Sequence, residues 1–242
     1  MNEPLLKSAL HRNSNKASFK IHIFNLIFPN TSSLKLFFTN NINLEVLTID
    51  INILLFNNFE PLDVFGPMEV FLHAHGFQVT LFTLDESQKI KSYNQIRLDV
   101  KSVSDINKKG VLLIPGGPAT RTLVTDTDFL KNLESLAVEA TYCLTVCTGS
   151  ALLAATHFMN HKKATSNKLA FNWVKSINTQ VNWIKNARWI IDDHLYSSSG
   201  VSAGIDMSLA FLSNIVNEDF ADNIAKQIEY IRVKNNDNDS FA

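Results

Sequence analysis

The sequence has few cysteines, few glycines, no excess of basic residues and no long apolar run. Two cysteines in 242 residues cannot form a disulfide framework, which points to a reducing compartment. A net charge of −1 offers no basic excess to neutralise phosphates, so we expect no nucleic-acid partner. No apolar stretch reaches the roughly 18 residues that a spanning helix needs, so we expect no membrane partner.

The two cysteines, Cys143 and Cys147, lie in a segment whose composition is typical of a strand. Four residues along a strand span roughly 13 Å, at about 3.3 Å per residue. A disulfide requires Cα atoms within about 7 Å of each other. We therefore predict two free thiols.

The beginning of the chain differs in composition from the rest. The first 65 residues contain no glycine, and residues 1–44 contain one acid, Glu3, beside five Lys or Arg. A basic, acid-poor segment with many Ser and Asn is typical of a transit peptide, although a functionless extension or an extra strand has the same composition. We assign residues 1–45 to an N-terminal extension, poorly ordered or targeting-like, 46–234 to one domain, and 235–242 to a solvated polar tail.

From residue 46 the sequence alternates between strand and helix patterns. The continuous apolar run 111–114 is typical of a parallel strand that is covered on both faces. The predicted strands are 46–56, 77–84, 111–114, 142–146 and a hairpin of 189–191 with 195–198, and the predicted helices are 62–75, 128–140, 151–158, 203–216 and 220–233. This alternation predicts a three-layer α/β/α sandwich with a flavodoxin-like, largely parallel sheet.

In such sheets ligands bind outside the carboxyl ends of the strands, so the residues just after each strand are the candidates. The run Val146-Cys147-Thr148-Gly149-Ser150 passes from a buried strand directly into a helix of small residues. This is the layout of a nucleophile elbow, with Cys where hydrolases have Ser. A thiol at a helix N-terminus should have a lowered pKa. We therefore predict that Cys147 is a nucleophile.

Two other strand ends supply candidate partners for this thiol. The turn Pro115-Gly116-Gly117-Pro118 follows a strand, and its paired glycines let backbone N–H groups face a ligand as an oxyanion hole. Asp63 enters the first helix, where it either caps the helix or moves protons beside the thiol, and the spacing leaves both open.

Charged residues elsewhere have simpler interpretations. Arg121 follows the glycine turn, where it either holds a substrate carboxylate or, more simply, pairs with an acid such as Asp206. The run Asp192-Asp193-His194 lies at the predicted hairpin turn, and hairpin turns commonly contain Asp. We therefore predict no metal site there.

Four ordered motifs occur at matching separations between residues 48 and 232. They are Phe56-x6-Asp63-x2-Gly66-Pro67-x-Glu69-Val70-Phe71, Ile114-Pro115-Gly116-Gly117, Val146-Cys147-Thr148-Gly149-Ser150 and Val201-Ser202-Ala203-Gly204-Ile205-Asp206. Together they resemble the DJ-1/PfpI superfamily, which has the class I glutamine amidotransferase-like fold. Within it the chain is most similar to the isocyanide (isonitrile) hydratases and to amidase-like domains.

The resemblance implies a cysteine-dependent small-molecule enzyme, a hydratase or amidase-like lyase, that acts as a cytoplasmic homodimer without a cofactor. It implies that Cys147 is the nucleophile, that Asp63 is its acid/base partner and that Thr148 helps to bind the substrate or the thiolate. The amides of Gly116 and Gly117 would complete the site.

The sequence also departs from the family. Protease-like members carry His directly after the Cys, where this chain has Thr148, so we expect no peptidase activity. Hydratase-like relatives carry a His where this chain has Asn167, which binds but does not titrate. The expected substrate-binding residues are Gly116, Gly117, Pro118, Arg121 and Asn167. The alternative is a non-catalytic thiol or oxidative-stress sensor, or a ligand-binding domain, because a reactive thiol serves either role.

Overall fold

The fold is organised around a seven-stranded sheet, and a computed structural model describes residues 48–242. The predicted extension, residues 1–45, and the start of the first predicted strand at Val46 lie outside the described residues. In chain order the strands are β1 (Ile49–Leu54), β2 (Phe77–Thr83), β3 (Lys89–Lys91), β4 (Arg97–Asp99), β5 (Lys101–Ser102), β6 (Val111–Ile114), β7 (Tyr142–Thr145), β8 (Lys163–Ala164), β9 (Asn182–Trp183), β10 (Trp189–Asp192) and β11 (Leu195–Ser198).

Strand order brings three strand ends together. The main sheet runs β10-β11-β7-β6-β1-β2-β5, while β3 pairs with β4 and β8 with β9 outside it. β10 and β11 form the predicted antiparallel hairpin, and all other neighbours in the main sheet are parallel. Because β1, β6 and β7 are parallel neighbours, their carboxyl ends meet at one edge, which is where such sheets bind ligands.

Helices cover both faces of this sheet. They are α1 (Pro61–Leu72), α2 (Thr120–Leu123), α3 (Thr127–Glu139), α4 (Gly149–Ala155), α5 (Phe171–Ile177), α6 (Ala203–Ile215) and α7 (Glu218–Gln227). α6 packs against α1 and α7, whereas α4 packs against α2, α3 and α5. The predicted three-layer α/β/α sandwich with a largely parallel sheet is confirmed. Over residues 48–242, none of these helices has the length and apolar character required to cross a membrane.

The central strands are apolar on both sides because both sides are buried. All four residues of β6 are buried, and Ile51, Ile53 and Leu54 of β1 have no exposed surface. Asn52 is a buried polar exception, and its Nδ2 donates to the carbonyl oxygen of Asn107 at 2.9 Å. Such continuous apolar runs are the expected composition of doubly covered parallel strands.

The chain after α7 differs from the predicted helix 220–233. The helix ends at Gln227, and Glu229 adopts a left-handed backbone with φ 50°. The segment beyond is held by the buried carboxylate of Asp206. Its Oδ1 accepts from the Val233 N–H at 2.9 Å and its Oδ2 from the Tyr230 hydroxyl at 3.0 Å. Hydrogen bonds to a buried charge replace the last helical turns.

The C-terminal residues also differ from the predicted solvated tail. The side chain of Asp239 is fully buried, and its backbone N–H donates to the Asn186 carbonyl at 2.7 Å. The Asn236 carbonyl accepts from the Arg188 N–H at 2.8 Å. The last residues therefore return to the body of the domain.

The first residue of α4, Gly149, lies where the helix approaches the end of β6. A Cβ at this position would collide with the carbonyl oxygen of Ile114 and lie 2.7 Å from that of Pro115. Because both obstacles are backbone atoms, no side-chain rotation relieves the clash. Glycine is therefore required for the strand and the helix to meet so closely.

We expect Gly149→Ala to lower the free energy of unfolding by at least about 2 kcal/mol, despite the better helix propensity of Ala, because the backbones must separate. Urea denaturation measures this loss. As a control, Val138→Ala on the exposed side of α3 should change it by less than about 0.5 kcal/mol. Equal midpoints for Gly149→Ala and the parent protein would contradict the proposed close approach.

Candidate active site

Cys147 lies at a strained turn between β7 and α4. Its φ of 56° is in the left-handed region, which non-glycine residues rarely adopt. Its N–H donates to the Ser199 carbonyl at 3.1 Å, and its carbonyl accepts from the hydroxyls of Ser150 and Ser166 at 2.9 Å each. Strain of this kind costs of order 1–3 kcal/mol and persists only where its surroundings enforce it. The predicted nucleophile elbow is thus present in the backbone.

Three N–H groups lie close to the Cys147 sulfur and lower the pKa of its thiol. They are the backbone N–H groups of Thr148 and Val201 and the side-chain amide of Asn167, and all three favour the thiolate. Val201 has a φ of 42°, which is a true outlier for a β-branched residue. The local backbone is therefore distorted at both the sulfur-bearing residue and one of the groups that bind the sulfur.

Asp63 lies beside this thiol rather than capping its own helix. It is in the first turn of α1 but makes no cap, and its side chain is fully buried. Oδ2 accepts from the Gly116 N–H at 2.8 Å, and the carboxylate interacts electrostatically with the Cys147 thiol. Oδ1 has no hydrogen-bond partner by geometry within the described part of the chain. Of the two placements left open, the structure shows the one beside the thiol.

Burial changes the ionisation of both groups. Burial raises the pKa of Asp63 to about 7, with a further contribution from the Glu60 carboxylate, against the lowering effect of the Gly116 and Cys147 hydrogen bonds. Burial and then the Asp63 carboxylate raise the pKa of Cys147 to about 12. The prediction of a lowered thiol pKa is therefore wrong, because loss of hydration and a neighbouring negative charge outweigh the helix N-terminus and the three donors.

The paired glycines position side chains instead of presenting free amides. The Gly116 N–H is bound to Asp63, and the Gly117 N–H donates to Thr148 Oγ1 at 3.1 Å. A Cβ on Gly116 would lie 2.6 Å from Thr148 Oγ1 and 2.8 Å from Asp63 Oδ2. The structure thus differs from the expected oxyanion hole, since the N–H groups that reach the sulfur belong to Thr148 and Val201.

The structure separates two other predicted residues from this cluster. The guanidinium of Arg121 lies over the ring of Trp173, with Cζ 3.5 Å from its centroid. Asp206 instead binds Arg188, whose Nε and Nη2 lie 2.8 and 2.7 Å from Oδ2, so the predicted Arg121–Asp206 pair is wrong. Pro118 is exposed and leads into α2.

Four contributors were missed by the sequence analysis. Ser150 and Ser166 bind the Cys147 carbonyl, Thr120 Oγ1 lies 3.1 Å from Thr148 Oγ1, and Val201 offers its N–H to the sulfur. Ser150 is the last residue of the third motif and Val201 the first residue of the fourth, so the motifs pointed to both regions. The role of a backbone N–H, however, cannot be predicted from the type of side chain. Asn167, which was predicted from its correspondence to a family His, lies near the sulfur and lowers the pKa of the Cys147 thiol.

Metal chemistry finds no support in these side chains. Within residues 48–242 there is no group of three or more His, Cys, Asp or Glu side chains placed to hold a metal ion. Asp193 and His194 form the tip of the hairpin between β10 and β11. Both cysteines are free thiols, as predicted.

The raised pKa of Asp63 predicts that this carboxyl destabilises the fold at neutral and alkaline pH. The folded protein holds the proton up to about pH 7, whereas the ordinary pKa of an Asp side chain is 3.8, so the free energy of unfolding falls as pH rises between these values. Asp63→Asn keeps an acceptor for the Gly116 N–H but carries no charge. We expect it to be about 2–4 kcal/mol more stable than the parent near pH 8.

Urea denaturation at acidic and alkaline pH measures this difference. The advantage of Asp63→Asn should largely disappear towards pH 4, where the parent carboxyl is protonated. As a control, Asp237→Asn replaces an exposed carboxylate and should change stability by less than about 0.5 kcal/mol at either pH. An advantage that is the same at both pH values would show that ionisation is not its cause.

The comparisons with known proteins agree with this fold. The chain is 28% identical over 184 residues to the isonitrile hydratase of Pseudomonas putida, covering 76% of this chain and 79% of that protein. Its structure is similar to a ThiJ/PfpI family protein from Pseudomonas syringae, with a TM-score of 0.68 and 22% identity, covering 77% of this chain and 76% of that one. It is also similar to Drosophila melanogaster DJ-1beta, with a TM-score of 0.65 and 17% identity, covering 76% of this chain and 99% of that one. The sequence model of the DJ-1/PfpI family matches residues 50–214, more than half of the chain, and the chain therefore belongs to the DJ-1/PfpI family.

Proposed function

We propose that this protein is a cysteine-dependent hydratase that adds water to isonitriles and releases N-substituted formamides. The observation that carries the proposal is the buried pair of Asp63 and Cys147, with three N–H donors directed at the sulfur. The similarity to the isonitrile hydratase of Pseudomonas putida supports the choice of substrate class. An isonitrile suits this pair because its terminal carbon accepts a nucleophile and then a proton at the same atom.

Asp63 and Cys147 together provide the thiolate nucleophile and the proton donor when they hold a single proton between them. Near pH 7 the pair loses its first proton, and the thiol and the carboxyl then hold the remaining one between them. When that proton is on Asp63, the sulfur is a thiolate bound by Thr148, Val201 and Asn167. The reactive form is thus a minor microstate of the pair, with the nucleophile and the proton donor already in contact.

In the first half of the reaction, the Cys147 thiolate attacks the terminal carbon of the isonitrile. A sulfur electron pair forms the new S–C bond, and the Asp63 carboxylic acid gives its proton to the same carbon. The product is a thioimidate, R–N=CH–S, bound to Cys147, beside an ionised Asp63. Proton donation in step with attack is the usual contribution of a positioned general acid.

In the second half, water adds to the thioimidate carbon. The Asp63 carboxylate takes a proton from the water and passes it to the nitrogen, leaving a tetrahedral R–NH–CH(OH)–S intermediate. Asp63 then takes the hydroxyl proton as the C–S bond breaks, which releases R–NH–CHO. The thiolate leaves into the same three N–H donors, and the pair regains its starting protonation.

The environment of the thiol argues against the sensor alternative. Oxidation of cysteine depends on thiolate content and exposure. Cys147 is 6% exposed and its pKa is raised to about 12, so the free protein holds little accessible thiolate. A substrate that draws the Asp63 proton is therefore favoured over an oxidant. Thr148, in the place of the protease-like His, likewise gives no Cys–His dyad for peptide cleavage.

The remaining expectations belong to the same proposal. The substrate is a small organic isonitrile, and the thiol and the carboxyl provide the nucleophile and the proton donor without a cofactor. By its family resemblance, the protein is proposed to act as a homodimer in the cytoplasm.

Replacement of the nucleophile should abolish turnover. We expect Cys147→Ala to lower kcat for an aryl isocyanide by at least about a thousandfold, because the covalent step is lost. Formation of the formamide, followed by liquid chromatography, measures it. The matched control is Cys143→Ala, which removes the other buried thiol and should retain activity within about threefold, at the cost of a small cavity. Comparable turnover by Cys147→Ala and Cys143→Ala would refute the proposal.

The pH profile of kcat/KM should report the first ionisation of the pair. Below about pH 7 both protons are present and no thiolate forms, so kcat/KM should rise through this pH and then level off. Glu60→Gln removes a carboxylate that raises the Asp63 pKa, so the midpoint should move to lower pH with kcat retained. Asp63→Asn should lose about 10²–10⁴ in kcat/KM together with this midpoint.

The same Asp63→Asn variant separates catalysis from thiol reactivity. Because the Asp63 carboxylate raises the Cys147 pKa, its removal should increase the rate of alkylation of Cys147 by iodoacetamide while hydration falls. A flat pH profile in the parent, or an upward midpoint shift in Glu60→Gln, is incompatible with the proposed role of Asp63.

A further inference from the structure

A buried ion pair joins the C-terminal segment to the loop behind the candidate site. Lys168 Nζ lies 3.7 Å from Asp239 Oδ2, and the two side chains are 4% and 0% exposed. A buried ammonium destabilises a fold unless an opposite charge or hydrogen bonds compensate for its lost hydration. Asp239 supplies that charge, from a segment whose composition predicts only a solvated tail.

The ammonium of Lys168 closes the turn formed by residues 165–168. It donates to Thr165 Oγ1 at 2.8 Å, to the Ser166 carbonyl at 3.3 Å and to the Ala187 carbonyl at 2.6 Å. These three acceptors use all three protons of a charged lysine, whereas a neutral amine would have only two to give. The shape of the turn therefore depends on the positive charge.

The same turn carries two residues that contact Cys147. The Ser166 hydroxyl donates to the Cys147 carbonyl at 2.9 Å, which holds the strained elbow. The Asn167 Oδ1 accepts from the Ala170 N–H at 2.9 Å, so the amide nitrogen is the end left for the sulfur. Gly200 leaves room for it, because a Cβ there would lie 2.6 Å from Asn167 Nδ2.

The C-terminal segment is itself held in place by hydrogen bonds to backbone carbonyl groups. The Asp239 N–H donates to the Asn186 carbonyl at 2.7 Å, and Asn236 Nδ2 donates to the Trp189 carbonyl at 3.1 Å. Arg188 Nη1 also lies 3.9 Å from Asp239 Oδ1. The carboxylate is thus delivered to Lys168 by an ordered segment that is anchored on β10 and the residues before it.

The Asp239 carboxylate helps to keep the Lys168 amine charged. Burial lowers the pKa of Lys168 to about 8, and the Asp239 carboxylate opposes that lowering. Without the carboxylate, the ammonium would more readily lose a proton or leave its site. Either change removes at least one of the three bonds that close the turn.

We propose that Lys168 and Asp239 are positioning residues, which hold Ser166 and Asn167 against Cys147 and so set the reactivity of its sulfur. The inference rests on the proposed function only in taking Cys147 as the nucleophile, and it makes no use of the substrate. Asp239 keeps Lys168 charged and in place, and Lys168 in turn holds the shape of the turn that carries Ser166 and Asn167.

The test is a double-mutant cycle with iodoacetamide as the probe and the full-length chain as the protein. Alkylation at Cys147 is measured by peptide mass spectrometry at one alkaline pH in the parent, Asp239→Asn, Asn167→Ala and the combined variant. We expect Asp239→Asn to slow alkylation about five- to tenfold in the parent, because a hydrogen bond to the thiolate is weakened. In the Asn167→Ala background the same change should have less than about a twofold effect, because that bond is already absent.

The matched control is Asp237→Asn, which removes an exposed carboxylate from the same segment and should leave the rate within about twofold. An equal effect of Asp239→Asn in both backgrounds, or no effect in either, would overturn the proposal. If Asp239→Asn does not fold, Lys168→Met/Asp239→Asn removes both members of the pair. Slow alkylation in that variant supports the inference, and the parent rate overturns it.

Hydration assays on the same variants separate this inference from the proposed function. A protein that does not hydrate isonitriles but shows the expected alkylation cycle refutes the proposed function and leaves the positioning inference standing. If the protein hydrates isonitriles but Cys147 is alkylated at the same rate in all four variants, the proposed function stands and the positioning inference is refuted.

Discussion

The Asp63 carboxyl and the Cys147 thiol are buried together, and neither can ionise freely where it lies. Water would stabilise either anion, but the Asp63 side chain has no exposed surface and Cys147 is only 6% exposed. In the proposed mechanism the pair shares one proton, and neighbouring N–H groups stabilise its charged forms. Three backbone N–H groups at this edge of the sheet stabilise the charged forms. The Gly116 N–H donates to the Asp63 carboxyl, and the N–H groups of Thr148 and Val201 lie near the sulfur.

The backbone bears strain to place these donors. Cys147 and Val201 both have positive φ, although neither is a glycine and Val201 is β-branched. Hydroxyl groups from Ser150 and Ser166 compensate by binding the Cys147 carbonyl from behind. Strain stored at one point is thus stabilised by hydrogen bonds from a helix and a separate loop, which is how strained functional geometry persists in folded proteins.

The sequence predicted the parts of this structure that depend on apolar pattern and turn residues. β6 and the hairpin of β10 with β11 were found because buried strands leave continuous apolar runs and hairpins leave turn residues. The short strands β3, β4, β8 and β9 were missed, since two or three residues carry no periodicity. The motifs pointed to Cys147, Asp63 and Asn167, which the structure places close together, but not to the direction of the thiol pKa shift, because burial and a neighbouring carboxylate are properties of packing. The docking of Asp239 was missed for the same reason, since a polar segment that pairs with one buried cation looks like any solvated tail.

A raised thiol pKa fits the proposed chemistry better than the lowered value that a helix N-terminus suggests. A thiol that ionises independently of Asp63 would present a thiolate whether or not the carboxyl holds a proton. In the proposed mechanism the thiolate forms when the shared proton is on Asp63, so attack begins with the acid in place. Electrophiles that need only a nucleophile gain nothing from this coupling, whereas a carbon that must gain a proton as it is attacked gains both groups at once. The buried pair is therefore expected to lower the activation free energy more for such a carbon than for other electrophiles.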